Sequence, residues 1–251
     1  MGTCELIPAI AAVKMSIFDP TTVSGLLVYL DAGDASTLFT DTGKTTLVSA
    51  DAQAVACIAD KSGQGNDLTQ ATSGNRPAYK VAIQNGLSVL RFTRATPSYI
   101  DRSTYVGGSV SQPVTWFFVC KAGTTATDET FTDGGTSRHL FRPDTTGGSY
   151  LFYAGTSATF GTGDASWHVF CVVVNGASSK FYKDGGAGTS INPNTGATNG
   201  LRMGADTSPA NGFGGDGGAT LMYNSALSLA NINYLGSGLA TRWGTTWTTA
   251  T

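Results

Sequence analysis

Short hydrophobic runs alternate with turn-forming residues along most of the chain, from Gly25 onward. Runs of this length, bounded by Gly, Asn, Asp, Ser and Thr, are typical of β-strands joined by tight turns. Dipeptides such as Asn85-Gly86 and Asp184-Gly185 favour two-residue hairpins. The pattern predicts strands at Leu26–Leu30, Leu87–Phe92, Val114–Lys121, His139–Arg142, Tyr150–Tyr153, Trp167–Val174, Lys180–Lys183, Gly200–Met203 and Ala219–Tyr223. Their number and spacing predict an all-β, two-sheet antiparallel sandwich.

Two of these runs, Trp116–Cys120 and Val169–Val174, are continuously apolar rather than alternating. A strand with this pattern has both of its faces covered. We therefore expect both in the centre of the sandwich, where Cys120 and Cys171 are buried as free thiols rather than paired in a disulfide.

One helix is predicted, near the end of the chain. Ser228 is a suitable N-cap and Gly244 a suitable C-terminal stop. Apolar residues recur between them at helical spacing: Leu229, Ile232, Leu235, Leu239 and Trp243. The pattern therefore predicts a helix over 228–243, although Gly236 and Gly238 weaken it.

Composition agrees with a β protein and narrows the function. The chain has 251 residues, of which 13% are charged, and only Glu5 and Glu129 of its 17 acidic residues are glutamates. Exposed helix faces usually carry more Glu and Lys than this. The net charge of −2 argues against a general nucleic-acid binder. No apolar run is long enough to predict a membrane span.

The first residues differ in pattern from the rest, which divides the chain into an N-terminal arm, 1–24, and a domain, 25–251. No basic residue precedes the apolar stretch 6–13, so we predict no secretory signal. Two interpretations of the arm stay open: a lead-in strand on its own sandwich, or an assembly arm that docks on a neighbouring subunit. The residues for docking are Cys4, Leu6, Ile7, Ile10 and Phe18, with Cys4 available for an intersubunit disulfide.

Catalytic residues are not apparent, and we predict that the protein is not an enzyme. Glycosidases need two carboxyl groups about 5 Å apart or more, and Glu129 with Asp133 is the nearest approach to such a pair. A Ser or Cys hydrolase would need His139 or His168 as its base, but no Gly-x-Ser-x-Gly motif provides a nucleophile. His168 follows Trp167 in a predicted strand and is expected to pack or make a surface contact. No cofactor is predicted. Calcium is left open, with Asp184 and Asp216 as ligands, although turn formation is the favoured interpretation.

Several motifs, in order, resemble a laminin G-like, concanavalin A-like jelly roll of the bacterial and bacteriophage type. They are Asp60–Gln70, Arg76–Tyr79, Asn85–Phe92, Trp167–Val169 with Asn175-Gly176 and Phe181–Gly185, Phe213–Asp216, and Leu239–Gly244. The resemblance spans nearly all of residues 25–244. It implies a jelly roll closed by one short C-terminal helix.

Such a fold serves several functions, of which two classes survive. The first is a structural virion protein of a bacteriophage, a capsid decoration protein or a tail or fibre component. It would be a homo-oligomer on the virion surface, made in the host cytoplasm without a signal peptide and bound to the major capsid or tail protein. The alternative is a carbohydrate-binding module or adhesin for a cell-surface glycan. Exposed loop aromatics would then make the glycan or partner contact: Tyr99, Tyr105, Phe213 and Trp247.

Overall fold

Two antiparallel β-sheets face each other in the structure, a computed structural model that describes residues 18–123, 128–143, 148–208 and 211–251. The strands are β1 (Leu26–Asp31), β2 (Leu38–Phe39), β3 (Cys57–Ile58), β4 (Leu68–Thr69), β5 (Ala78–Gln84), β6 (Leu87–Arg91), β7 (Ile100–Arg102), β8 (Val114–Ala122), β9 (Thr132–Asp133), β10 (Leu140–Arg142), β11 (Tyr150–Tyr153), β12 (Ser157–Phe160), β13 (His168–Val174), β14 (Ser179–Lys183), β15 (Thr189–Ile191), β16 (Leu201–Met203) and β17 (Gly215–Tyr223). The all-β two-sheet antiparallel sandwich predicted from the sequence is confirmed.

The eight-stranded sheet has the order β15-β14-β13-β8-β17-β6-β5, with β1 paired to β17. Its central strands β8, β13 and β17 carry the long apolar runs. One face packs against the other sheet through residues such as Phe118 and Phe170. The opposite face, with Phe117 and Leu221, packs beneath the C-terminal helix. Both faces are therefore covered, as the continuous apolar runs predict.

The nine-stranded sheet has the order β12-β11-β10-β9-β16-β7-β4-β3-β2. Its strands are short, and five of them have two or three residues between positions 38 and 133. Side chains on its inner face fill the core between the sheets, among them Ile58, Ile100, Phe141 and Met203. Because side chains alternate along a strand, the residues next to these point to the outer face.

Helix α1 (Leu229–Trp243) confirms the predicted C-terminal helix. The Ser228 hydroxyl accepts a hydrogen bond from the Asn231 N–H at 3.3 Å, and Gly244 ends the helix in the left-handed region at φ +62°. A side chain at Gly238 would collide with the Phe18 ring, and one at Gly236 with the Trp247 ring. Both glycines therefore let an aromatic ring lie directly on the helix. No helix of the described residues is long and apolar enough to span a membrane.

The cysteines that the structure describes, Cys57, Cys120 and Cys171, are buried free thiols. This confirms the prediction for Cys120 and Cys171. Burial raises the pKa of each of these thiols, which keeps them protonated and unreactive.

Candidate functional site

The outer faces of the two sheets differ in what covers them. Helix α1 lies across the outer face of the eight-stranded sheet, where Trp243 is fully buried and stacks on Trp167 at 5.8 Å between ring centroids. Within the described residues, no helix covers the nine-stranded sheet. Its outer face is partly exposed: Leu140, Asp133 and Cys57 are buried there, whereas Asp101, Arg202 and Thr69 are half-buried and within reach of a ligand.

One cross-strand row of side chains crosses this open face. Strand register places each member beside the next, from β11 to β2. The row, called here the outer-face row, is Tyr153, Leu140, Asp133, Arg202, Asp101, Thr69, Cys57 and Phe39. Charged residues lie at its centre and aromatic residues at its ends. A hydrophobic core that serves only stability rarely contains such charged residues.

Arg202 is held at the centre of the row by several hydrogen bonds. Its Nη2 donates to Asp101 Oδ2 at 2.8 Å, and its Nη1 donates to the Asp206 carbonyl at 2.9 Å. The ring of Tyr99 lies 4.4 Å from the guanidinium carbon, a cation–π contact. These contacts fix Tyr99 beside the row in a half-buried position.

Asp133 lies beside Arg202 and is fully buried. The Arg138 Nη2 donates to its Oδ2 at 2.6 Å, and the Thr207 N–H donates to the same oxygen at 2.9 Å. Bonding to this carboxylate raises the pKa of Arg138. The Arg138 guanidinium also lies 5.6 Å from the ring centroid of Tyr153. Asp133 therefore anchors an arginine and is not placed as a free catalytic acid.

A groove runs beside the centre of the row, where β7, β9 and β16 meet their loops. It consists of two depressions of about 550 and 460 Å³ that share residues 101–104. Its lining includes the polar residues Asp101, Ser103, Thr104, Thr136, Arg138 and Arg202. We call it the sheet-face groove.

Some polar atoms at this groove have no partner among the described residues. They are Asp101 Oδ1, Arg138 Nη1 and the hydroxyls of Ser103 and Thr104, whereas Asp101 Oδ2 is engaged by Arg202. Together they offer both acceptors and donors to a ligand. A polyhydroxylated ligand needs this combination, because each of its hydroxyls can donate and accept.

A larger depression of about 1040 Å³ lies between α1 and β1, and we call it the helix-side groove. Asp31 is buried there, with Arg242 Nη2 at 2.8 Å and Lys61 Nζ at 3.6 Å. The Ser237 hydroxyl donates back to the helix, and the Asn85 amide donates to helix carbonyls. Most of the polar groups named here have internal partners, and the Arg242–Asp31 and Asn85 contacts tie α1 to the sheet, although Arg242 Nε is buried without a partner. We therefore place the functional site at the sheet-face groove, despite its smaller volume.

The aromatic residues singled out in the sequence fall into two groups. Tyr99 is half-buried at the outer-face row, and Trp247 is half-buried against α1, where its Nε1 donates to Asn233 Oδ1 at 3.0 Å. The exposure predicted for Tyr105 and Phe213 is wrong, since both are buried. Tyr105 packs in the core between the sheets, and Phe213 packs against Phe131 at 5.1 Å. Neither ring can stack on a ligand.

Of the proposed assembly arm, Cys4, Leu6, Ile7 and Ile10 lie outside the described residues. Phe18 packs on its own chain, 5.9 Å from the ring of Tyr234 on α1. The Tyr223 hydroxyl donates to the Pro20 carbonyl at 3.0 Å. The described end of the arm, residues 18–24, is therefore attached to the sandwich of the same chain.

The carboxylates considered for calcium have protein partners. Asp216 is held by Arg91 through Nε at 2.7 Å and Nη2 at 2.9 Å. Asp184 accepts from the Val169 N–H at 2.9 Å and bonds to His168. No group of three or more His, Cys, Asp or Glu among the described residues is arranged to hold a metal ion.

His168 lies between two carboxylates, with Asp184 Oδ2 at 2.6 Å from Nδ1 and Asp164 Oδ1 at 2.8 Å from Nε2. Burial lowers the pKa of His168, but the two carboxylate hydrogen bonds outweigh it and the pKa lies above its ordinary value. Both ring nitrogens donate only in the imidazolium. His168 is therefore a charged link between two loops.

His139 has the opposite environment. Trp116 Nε1 donates to its Nδ1 at 3.2 Å, and its Nε2 lies 2.8 Å from the Gly196 carbonyl. One nitrogen accepts and the other donates, which defines a neutral imidazole. Burial lowers the pKa of His139 to about 4. Its role is structural.

No family model matches the chain, and no curated protein matches it. Solved structures do. A GH54 α-L-arabinofuranosidase soaked with a cyclic sulfate inhibitor is 13% identical, with a TM-score of 0.58. An arabinofuranosidase complexed with arabinofuranosyl-α-1,2-xylobiose is 15% identical, with a TM-score of 0.54. A Trypanosoma rangeli sialidase in complex with sialic acid is 12% identical, with a TM-score of 0.48.

These matches cover 88–89% of this chain, 60% of each arabinofuranosidase and 34% of the sialidase. The chain therefore spans less than two thirds of the length of each of these enzymes. At these identities the likeness shows a shared fold. The protein is a two-sheet antiparallel β-sandwich that resembles part of these arabinofuranosidases in fold.

Proposed function

We propose that this protein is a carbohydrate-binding domain and that its ligand lies in the sheet-face groove. The observation that carries the proposal is the set of unengaged donors and acceptors on the one uncovered sheet face of the described sandwich. The arabinofuranosidases of similar fold, one of them bound to an arabinose-containing oligosaccharide, give independent support. The finer assignment to a laminin G-like jelly roll is part of this proposal.

Sugar recognition combines hydrogen bonds to hydroxyls with contacts between aromatic rings and C–H groups. Asp101 and Arg138 supply the charged partners, whose hydrogen bonds are stronger than those of neutral groups. Tyr99 and Tyr153 supply the rings, and each is fixed by an arginine. Because the arginines hold these side chains in place, a ligand does not have to order them on binding.

We further propose that the domain binds its ligand without cleaving it. Asp133, one half of the carboxylate pair that the sequence offers, is buried beneath Arg138. A general acid needs to reach the glycosidic oxygen, which this position does not allow. Incubation with arabinotriose should release no reducing ends, and release that is lost in Asp133→Asn would overturn this part of the proposal.

A structural role in a bacteriophage virion stays a second prediction. It rests on the sequence resemblance and on the apolar arm, most of which lies outside the described residues. Its partners would be further copies of the chain and the major capsid or tail protein. Mass spectrometry of purified particles tests it, and the two roles are compatible if the protein displays its groove on a particle.

Binding is tested by calorimetric titration with arabinotriose, arabinofuranosyl-xylobiose and sialic acid as probes. We expect saturable binding of at least one probe and a loss of about tenfold or more in Tyr99→Ala, in line with the stacking lost. Lys80→Ala is the matched control, because Lys80 lies on β5 of the other sheet, pairs with Asp51 and does not line the groove. Equal affinity of wild type and Tyr99→Ala would exclude this groove.

A further inference from the structure

We infer that the ligand of the sheet-face groove carries a carboxylate that pairs with Arg102, which makes the ligand an acidic saccharide. The inference rests on the proposed carbohydrate binding and narrows it to one ligand class. It follows from the position of Arg102 in the groove and from its guanidinium, which has no partner among the described residues.

Arg102 is the residue at which β7 ends. It is paired in register with Leu201, whose side chain lies in the core between the sheets. Alternation along the strand therefore directs the stem of Arg102 toward the same side of the sheet. The side chain is half-buried and lines both depressions of the groove. A ligand in either depression therefore lies beside Arg102.

The guanidinium of Arg102 is partly removed from water without a partner from the protein. Its Nε is buried and makes no hydrogen bond. Its Nη1 and Nη2 make no hydrogen bond or ion pair with the described residues either, but they stay open to solvent. Burial of a charged group without a partner is unfavourable. An anion that reaches the two terminal nitrogens would supply that partner, and a planar carboxylate matches their fork geometry.

The other charged side chains that line the groove are each paired with an opposite charge. The pairs are Arg202–Asp101 at 2.8 Å, Arg138–Asp133 at 2.6 Å and Lys44–Asp67 at 2.6 Å. Asp67 and Asp101 line the groove as Arg102 does, but neither lies within ion-pair distance of it. Among the described residues that line the groove, Arg102 is therefore the cation that a ligand can neutralise.

Further carboxylates behind the groove limit the size of the effect. Asp128 and Asp206 lie 3.4 and 3.7 Å from Arg142, and neither of them lines the groove. Their charges reduce the positive potential that an anion meets at Arg102. We therefore expect a moderate preference for an acidic ligand rather than an absolute requirement for one.

Neutral donors and acceptors lie next to Arg102. The hydroxyls of Ser103 and Thr104 are exposed and have no partner among the described residues. Each can donate a hydrogen bond to a sugar hydroxyl or accept one from it. A sugar acid offers both parts of this pattern, because its carboxylate and its hydroxyls belong to the same ring.

The test compares matched ligands by calorimetric titration. Trigalacturonic acid and α-1,4-linked galactotriose share a backbone, and each ring carries a carboxylate in the first and a hydroxymethyl group in the second. We expect wild type to bind the acid about fivefold more tightly, as a charge-assisted hydrogen bond allows. The preference should shrink when NaCl is raised from about 0.05 to about 0.5 M, because salt screens the ion pair.

Arg102→Gln removes the charge and should bring the two affinities to within about twofold of each other, with little change in that for galactotriose. Lys121→Gln is the matched control. It removes a half-buried cation from β8 of the other sheet, which lines neither depression, and should keep the preference. Arg102→Lys retains the charge without the planar fork, so its preference should lie between those of wild type and Arg102→Gln.

Several results would overturn the inference while leaving carbohydrate binding intact. They are equal or tighter binding of galactotriose by wild type, binding of arabinotriose without binding of trigalacturonic acid, and a full preference retained in Arg102→Gln. An equal loss of preference in Lys121→Gln would also overturn it, because the effect would then come from the net charge. Binding of none of the three saccharides by folded wild type would reject the proposed function itself.

Discussion

The two sheets of this sandwich carry opposite kinds of surface. The eight-stranded sheet is covered on both faces, by the core on one side and by α1 on the other. The nine-stranded sheet shares that core, but its other face carries charged and aromatic side chains that are reachable from solvent. Apolar burial therefore stabilises the first sheet, whereas directed polar contacts organise the open face of the second.

The residues that stabilise the fold by apolar burial and the residues proposed to bind the ligand therefore lie in different parts of the molecule. Substitutions beneath α1 should change the free energy of unfolding and leave ligand affinity alone. Substitutions in the outer-face row should act on affinity, and on stability only where a buried charge loses its partner. The following variants test that division, beginning with the largest expected effect.

Trp243→Ala should have the largest effect on stability. The side chain is fully buried between α1 and the sheet, and truncation of a buried Trp costs about 3–5 kcal/mol. Urea denaturation measures the loss, and affinity for the saccharide in the folded protein should not change. Trp247→Ala is the control and should cost clearly less, because Trp247 is only half-buried where it packs against the same helix. Equal losses of unfolding free energy in the two variants would contradict the conclusion that α1 covers this face of the eight-stranded sheet.

Arg138→Gln should lower stability by about 3 kcal/mol and also weaken ligand binding, because it leaves Asp133 as a buried charge without its cation. Adding Asp133→Asn in the same chain should restore part of the stability but not the binding. A double-mutant cycle in urea measures the coupling between the two residues. Additive losses would mean that the ion pair does not act as a unit.

His139 should make the protein less stable in acid. Its pKa falls from 6.5 to about 4 on folding, so its contribution is present above pH 6.5 and is lost as the pH falls from 6.5 towards 4. His139→Gln should flatten the decline in melting temperature over this window. If the melting temperature of the variant declined as steeply as that of wild type between pH 6.5 and pH 4, groups other than His139 would control the decline.

His168 should act in the opposite direction and more weakly, since it is less buried. Its pKa is raised in the folded state, so its contribution is present below pH 6.5 and is lost as the pH rises through the folded value. His168→Gln should therefore narrow the stability difference between pH 6 and pH 9. A steeper alkaline decline in the variant would contradict the charged link to Asp164 and Asp184.

The same contrast explains what the sequence could predict. The strands of the eight-stranded sheet have long apolar runs, and α1 has clear caps, so β8, β13, β17 and the helix were predictable. Most strands of the nine-stranded sheet are too short to show a period. The sequence pattern also failed to predict strand β5, because this exposed edge strand carries a bulge between Lys80 and Gln84.

The site depends on register rather than on local sequence. Asp101, Asp133 and Arg202 are far apart in the chain and become neighbours only when three short strands pair. Loop aromatic residues indicated the site less well: Tyr99 stacks on Arg202 beside the groove, whereas Phe213 is buried.

The central claim is that the open face of the nine-stranded sheet binds a saccharide. Titration of ¹⁵N-labelled protein with arabinotriose, followed by amide chemical shifts, tests it most directly. We predict saturable shifts confined to the sheet-face groove, at Asp101, Ser103, Thr104 and Arg202. Shifts centred on the helix-side groove, at Gly33, Lys61 and Arg242, would contradict the claim. So would the absence of saturable shifts in the sheet-face groove with every probe that the protein binds.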